Sequence, residues 1–115
     1  VVHGDGGFMF HATELATCAQ YQVPLIICVF NDSGYGVLRY LQQSRFGRIN
    51  ETDLGKVAFA QMAESMGVPG ERAASVEAFS DAMDRALAAD GPYLIDVDME
   101  HFAPMEISVM PKKKG

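Results

Sequence analysis

His3-Gly4-Asp5-Gly6-Gly7-Phe8 opens, and Phe30-Asn31-Asp32-Ser33-Gly34-Tyr35-Gly36 closes, the stretch whose reading decides the fold. Val1-Val2 ahead of it reads as the end of an apolar strand. A helix-like segment follows the first loop. Leu25-Ile26-Ile27-Cys28-Val29-Phe30 then supplies a second strand, apolar throughout. Such runs suit strands buried on both faces, as in a parallel sheet covered by helices. The order is strand, glycine-rich loop, helix, strand, polar loop. Both loops therefore fall at the carboxyl ends of parallel strands, where ligands of open α/β sheets bind. Asp5 and Asp32 are expected to converge there as a consequence of topology.

Two carboxylates among glycines suggest a particular chemistry. Gly4, Gly6 and Gly7 allow positive φ and close backbone approach. A helix starting near Phe8 or Phe10 would turn N–H groups toward an anion. Asp5 cannot pair with that anion directly, so a cation has to sit between them. A hard divalent ion sharing oxygen ligands with phosphate fits, Mg²⁺ best of all. Two better-known phosphate loops are excluded. Met9 stands where a dinucleotide fingerprint needs its third glycine, and no Gly-Lys-Ser or Gly-Lys-Thr follows for a P-loop.

Gly4-Asp5-Gly6, 24 residues, then Asn31-Asp32 resembles the thiamin diphosphate-binding motif, written GDG with a spacer ending in NN. Glu14-Leu15-Ala16-Thr17 is similar to the Glu-Leu-x-Thr often found inside that spacer. Tyr35-Gly36-Val37-Leu38-Arg39 resembles the segment that follows in acetolactate synthase-like and benzoylformate decarboxylase-like members. The resemblance covers nearly the whole chain. It implies an α/β, three-layer fold with a largely parallel sheet, and places residues 1–115 as a C-terminal thiamin diphosphate-binding domain whose N-terminal part is missing. It implies Mg²⁺ and thiamin diphosphate as cofactors. Asp5 and Asp32 would ligate the metal through side chains, and Gly34 through its carbonyl. Gly4, Gly6 and Gly7 would form the diphosphate loop, with Gly6 and Gly7 donating N–H groups. Tyr35 and Val37 would lie along the cofactor, and Val37 and Leu38 near the thiazolium and substrate. No catalytic residue is assigned to this chain beyond those contacts. The proton-relaying Glu of the family comes from another domain, so Glu14 is not that residue. Asp32 departs from the usual Asn, adding a negative charge beside a diphosphate. Leu38 departs from the catalytic Glu of pyruvate decarboxylases and argues against that branch.

Bulk properties agree with a globular protein. The chain has 115 residues, 49% hydrophobic, with a formal net charge of −6. That length is one small domain. That charge gives no electrostatic reason to bind nucleic acid or an anionic membrane. The longest apolar run is too short to span a bilayer. Cys18 and Cys28 read as reduced core thiols in a reducing, cytoplasmic compartment. The chain begins inside a strand that runs straight into a functional loop, so a piece of a longer polypeptide is expected.

Along the rest of the chain, residues 10–22 read as a helix with Phe8, Leu15, Ala16 and Ala19 inward. His3 reads as packed or solvent-lining, His11 as a partly exposed helix residue, and Glu14 as a surface carboxylate or a buttress of the first loop. Residues 37–44 predict a short helix. Arg39 and Arg45 at the site's mouth read first as solvated or salt-bridged. Residues 53–66 predict a helix capped by Asp53, with Gly67 as its stop. A short strand at 71–74 follows. Ser75 caps an amphipathic helix at 76–89, with Phe79, Ala82, Met83, Ala86 and Leu87 inward. Tyr93-Leu94-Ile95-Asp96-Val97-Asp98 is a strand. Its two acids read as solvated or capping rather than as a metal pair. Residues 101–110 are irregular, and Lys112-Lys113-Lys114 is a solvated terminus.

The reading that follows is a 2-keto acid decarboxylase or carboligase. It would need a pyrimidine-binding domain from the same or a neighbouring subunit, in a homo-oligomer, dimeric or tetrameric, and would be inactive as this chain alone. The alternatives are a Mg²⁺- and phosphate- or nucleotide-binding module without thiamin chemistry, and a structural or oligomerising piece without a ligand.

Overall fold

The computed structural model describes residues 1–101. Past residue 101, the tail and the lysine-rich terminus expected from the sequence lie outside the described residues. The elements run β1 (Val2–Gly4), α1 (Asp5–Phe8), α2 (Glu14–Tyr21), β2 (Ile26–Asn31), α3 (Gly36–Phe46), α4 (Phe59–Ser65), β3 (Gly70–Ala73), α5 (Val76–Ala88), β4 (Tyr93–Asp98) and a final 3-10 turn, Met99–His101. The four strands form one sheet in the order β1-β2-β4-β3, and every pairing is parallel. The fold is α/β, as the apolar runs in β2 and β4 require.

Alternation along the strands divides the core between the two faces of the sheet. Ile27, Val29 and Leu94 point to one face and pack with Phe8, Ala12, Leu15, Phe59, Ala63 and Val68. Cys28, Ile95 and Val97 point to the other and pack with Ala73, Ala82 and Ala86. The layers are therefore α1, α2 and α4, then the sheet, then α5. Phe59 is 1% exposed, and burying a ring of that size contributes about 2–3 kcal/mol. It meets Phe8 edge-on, with centroids 5.5 Å apart. That contact ties the first loop's helix to α4.

Several expected elements differ. The helix at 10–22 is broken. A single turn at α1 is followed by three-residue turns, with His11 N donating to Phe8 O (2.9 Å) and Glu14 N to His11 O (2.9 Å), before α2 begins. Ala12 is the buried alanine, and Ala16 faces solvent. Gln22 closes α2 in the left-handed conformation, which Val23-Pro24 then continues as extended chain.

The helix expected at 53–66 starts only at Phe59. Residues 52–54 pair instead with the second loop: Tyr35 N donates to Thr52 O, and Leu54 N to Ser33 O, both at 2.8 Å. Tertiary pairing overrides the helical periodicity, and Asp53 caps nothing. Ser75 does cap α5, its hydroxyl accepting from Ala78 N at 3.0 Å. Leu87 on that helix is 69% exposed rather than inward, because Ala82 and Ala86 fill the contact. Cys18 and Cys28 are free thiols. Among the described residues no helix is long and apolar enough to cross a membrane.

Candidate functional site

β1 and β2 are neighbours in register, Gly4 beside Phe30. Their carboxyl ends deliver Asp5 and Asp32 to the same edge of the sheet. The loops touch through Asp5, which is 4% exposed. Its Oδ1 accepts from Gly6 N at 2.8 Å, and its Oδ2 accepts from Gly34 N at 3.0 Å across the gap. Asp5 is thus held by two backbone N–H groups, one from each loop. A carboxylate offers about four lone-pair sites, so these bonds leave room for a metal.

Asp32 is half-buried. Burial pushes its carboxyl above the ordinary range, and the nearby charge of Asp5 pushes it further, while Arg39 and backbone N–H groups pull it down. Arg39 Nη1 stands 4.0 Å from Asp32 Oδ2, and its Nη2 donates to Asp53 Oδ1 at 2.8 Å. The arginine is salt-bridged, as the simpler reading had it. A half-buried carboxylate made harder to ionise by a second one beside it marks a place where a cation is stabilised.

Gly34 sits in an isolated bridge opposite Asp53. The two bonds of that bridge run from Tyr35 N to Thr52 O and from Leu54 N to Ser33 O, so neither uses the carbonyl of Gly34. A side chain at Gly34 would collide with the Arg39 guanidinium and with Thr52 O. Ser33 takes φ of +53°, a conformation non-glycine residues adopt only when held. Asn31 Oδ1 holds it by accepting from Ser33 N at 3.2 Å, a side-chain-closed turn.

The glycines of the first loop work differently from the expectation. None of Gly4, Gly6 and Gly7 takes a positive φ. Gly6 is required by contact: a Cβ there would lie 2.5 Å from the ring of Tyr35. At Gly4 and Gly7 a Cβ would meet nothing within 4 Å, so the backbone there borders open space. The Gly6 N–H is already given to Asp5. Val37 and Leu38 stand exposed on the first turn of α3, a helix with no buried residue. His3 packs its ring 5.9 Å from that of Phe8. Glu14 is exposed at the start of α2.

Sequence reasoning missed the third wall of the site. A cleft of about 290 Å³ lies beside Asp5, lined also by Met9, Leu54, Gly55, Lys56, Val57 and Phe59. It missed as well what holds that wall. Asp96, 2% exposed, accepts from Asn31 Nδ2 and from Phe59 N, each at 3.1 Å. Burial pushes its carboxyl up, and these two donors pull it back. It is not solvated; the capping alternative holds, since Asp96 receives the first N–H of α4. Its neighbour Asp98, also buried, accepts from Arg72 at 2.5 Å and from Glu100 N at 3.0 Å. The sequence signal for Asp96 was one acid inside the apolar run Leu94-Ile95-Asp96-Val97; that α4 begins after Ala58, which cannot cap it, is visible only in the fold. Thr52, 2% exposed, carries a buried Oγ1 without a hydrogen-bond partner among the described residues.

The carboxylates of Asp5 and Asp32 stand together at this edge, and both offer oxygens. That set suits a hard divalent cation such as Mg²⁺, which keeps its remaining positions for water and phosphate. Among the described residues no group of three or more His, Cys, Asp and Glu side chains is placed to hold a metal, so an ion here would rest on two carboxylates and backbone.

Residues 1–97 match the family model described as thiamine pyrophosphate enzyme, C-terminal TPP binding domain. The chain is 33% identical to an acetolactate synthase of Bacillus subtilis, over 99% of this chain and 20% of that protein. It is 33% identical to a benzoylformate decarboxylase of Pseudomonas aeruginosa, over 88% of this chain and 19% of that protein. Among solved structures it superposes on a thiamine diphosphate-dependent 4-hydroxybenzoylformate decarboxylase of Rhodococcus jostii with a TM-score of 0.78 and 37% identity, over 84% of this chain and 19% of that one. The chain spans about a fifth of the length of these relatives.

Proposed function

The chain belongs to the thiamine pyrophosphate enzyme family, as its C-terminal TPP-binding domain, and from that premise we propose that it anchors Mg²⁺ and the diphosphate of thiamin diphosphate in a 2-keto acid decarboxylase or carboligase. The observation that carries the proposal is the hydrogen bond from Gly34 N to Asp5 Oδ2, which brings the two loops of the motif into one site. Asp5 and Asp32 ligate the metal through their side chains and Gly34 through its carbonyl. Gly7, with Gly4 and Gly6 around it, presents backbone to the diphosphate. Tyr35 and Val37 flank the thiazolium, and Leu38 borders the substrate. When bound, the cofactor supplies the carbanion chemistry that releases carbon dioxide from a 2-keto acid. This chain's share is to fix the diphosphate, offset its charge and orient the ring.

The relatives are about five times longer than this chain, and carry both decarboxylase and synthase names. That supports the reading that residues 1–115 are part of a larger enzyme. A pyrimidine-binding domain, from the same or a neighbouring subunit of a homo-oligomer, completes the site. The two free thiols support a cytoplasmic setting.

Calorimetric titration of the protein with thiamin diphosphate, with and without Mg²⁺, tests the proposal. Binding should require Mg²⁺ and vanish in Asp5→Ala. If ADP binds as well as thiamin diphosphate, the site is a general phosphate module instead. If a folded protein binds neither, the domain is structural.

A further inference from the structure

We propose that Asp96 is a positioning residue for the metal loop, acting through the amide of Asn31 and the amide N–H of Phe59. The inference rests on the cofactor reading above and adds a residue outside its motif. Asp96 lies in β4, one strand over from the motif, within Leu94-Ile95-Asp96-Val97, where an apolar side chain would avoid the cost of burying a carboxylate. Its hydrogen bonds come from neutral donors in segments bordering the site, and the charge of Arg72 on the neighbouring strand also favours the carboxylate.

The network fixes two things at once. Asn31 Nδ2 donates to Asp96 Oδ1 and to Val57 O, both at 3.1 Å. Both its N–H groups are used, so the amide cannot flip without setting its oxygen against the carboxylate. The opposite end, Asn31 Oδ1, therefore stays directed at Ser33 N. That bond holds the left-handed turn at Ser33, between the ligand candidates Asp32 and Gly34. Asp96 Oδ2 meanwhile accepts from Phe59 N. It thereby sets where residues 54–58 stop and α4 begins, and so where the Val57–Phe59 wall of the cleft stands relative to Asp5. One buried carboxylate links the second loop, the wall and β4.

Partners that orient metal ligands cost about tenfold or more in metal affinity when removed. The test compares Asp96→Asn and Asn31→Ala with Ser75→Ala in the native protein. Ser75 also supplies a helix cap, to α5 on the far face, and controls for the loss of a cap as such. Two readouts are taken: the Mg²⁺ concentration giving half-maximal thiamin diphosphate binding, and hydrogen exchange at the Ser33 and Gly34 amides. Asp96→Asn and Asn31→Ala should raise the first by about tenfold and speed the second. Ser75→Ala should leave both as in wild type. If Asp96→Asn does not fold, Asn31→Ala, at a half-buried position, carries the test alone. Wild-type values of both readouts in the site variants would overturn the proposal, however much global stability they lose. Failure of the wild-type protein to bind thiamin diphosphate sinks the cofactor reading separately, and the exchange readout still decides the positioning role.

Discussion

Asp96 on β4 and Glu71 on β3 are carboxylates on adjacent strands, turned to opposite faces of the sheet. Asp96 is packed under α4 and takes its hydrogen bonds from neutral donors, an amide and a backbone N–H, with the Arg72 charge acting from farther off. Burial raises its proton affinity. Glu71 faces α5 and receives the Arg85 fork, at 3.0 and 2.6 Å, together with the Tyr93 hydroxyl at 2.6 Å. The Arg85 hydrogen bonds hold its carboxyl below the usual range. One acid is a buried scaffold for backbone, and the other is the anchor of a partly solvated ion pair. The face that carries the candidate site spends a desolvated charge on position. The far face uses charge only where water and a partner already stabilise it.

The largest break in that contrast is Asp96→Ala. It strands the Phe59 N–H and one Asn31 N–H in the core, and two such losses cost about 3 kcal/mol. Urea denaturation should show the loss as a lower midpoint with an unchanged slope. Gly6→Ala comes next. Its methyl must displace the Tyr35 ring, and overpacking of this kind costs about 1–2 kcal/mol, read in the same experiment. It should also weaken cofactor binding, because Tyr35 closes the second loop at the start of α3.

A pH series sharpens the comparison by sign. Glu71 has a lowered folded pKa, so the stability it contributes is present above its ordinary value near 4.5 and is lost as pH falls through the folded value. Asp96 has a raised folded pKa. Its ionisation costs stability that is regained as pH falls through that value toward its ordinary 3.8. Stability measured from pH 7 down to acid should therefore fall less steeply in Glu71→Gln than in wild type, and more steeply in Asp96→Asn. Equal slopes in the three proteins would erase the distinction. The smallest effect belongs to Leu87→Ser on the outer side of α5. That leucine is 69% exposed, and the change should stay within about 0.5 kcal/mol.

The fold was legible where composition is unambiguous. β2 is an apolar run, its parallel pairing with β1 follows from the helical segment between them, and the convergence of two loops at one edge follows from that pairing. The motif names Asp5 and Asp32, and the structure brings their loops together. What was hidden depends on partners distant in sequence. Helical periodicity across residues 53–66 gave no warning that Thr52 and Leu54 pair with the second loop. The cap of α4 comes from a strand 37 residues later, beyond any local capping rule. Gly6 looked like a conformational requirement and proved to be a steric one, set by Tyr35. Leu87 fits an amphipathic pattern but lies past the edge of the face that Ala82 and Ala86 already fill.

The central claim is that one metal ion sits between the two loops. Crystals of the protein grown with thiamin diphosphate and Mn²⁺ in place of Mg²⁺ would locate it by anomalous scattering. The account predicts a single strong peak about 2.1 Å from oxygens of Asp5, Asp32 and the Gly34 carbonyl, with the diphosphate on its open side against Gly7. A peak elsewhere, or a diphosphate bound without metal between it and Asp5, would contradict it.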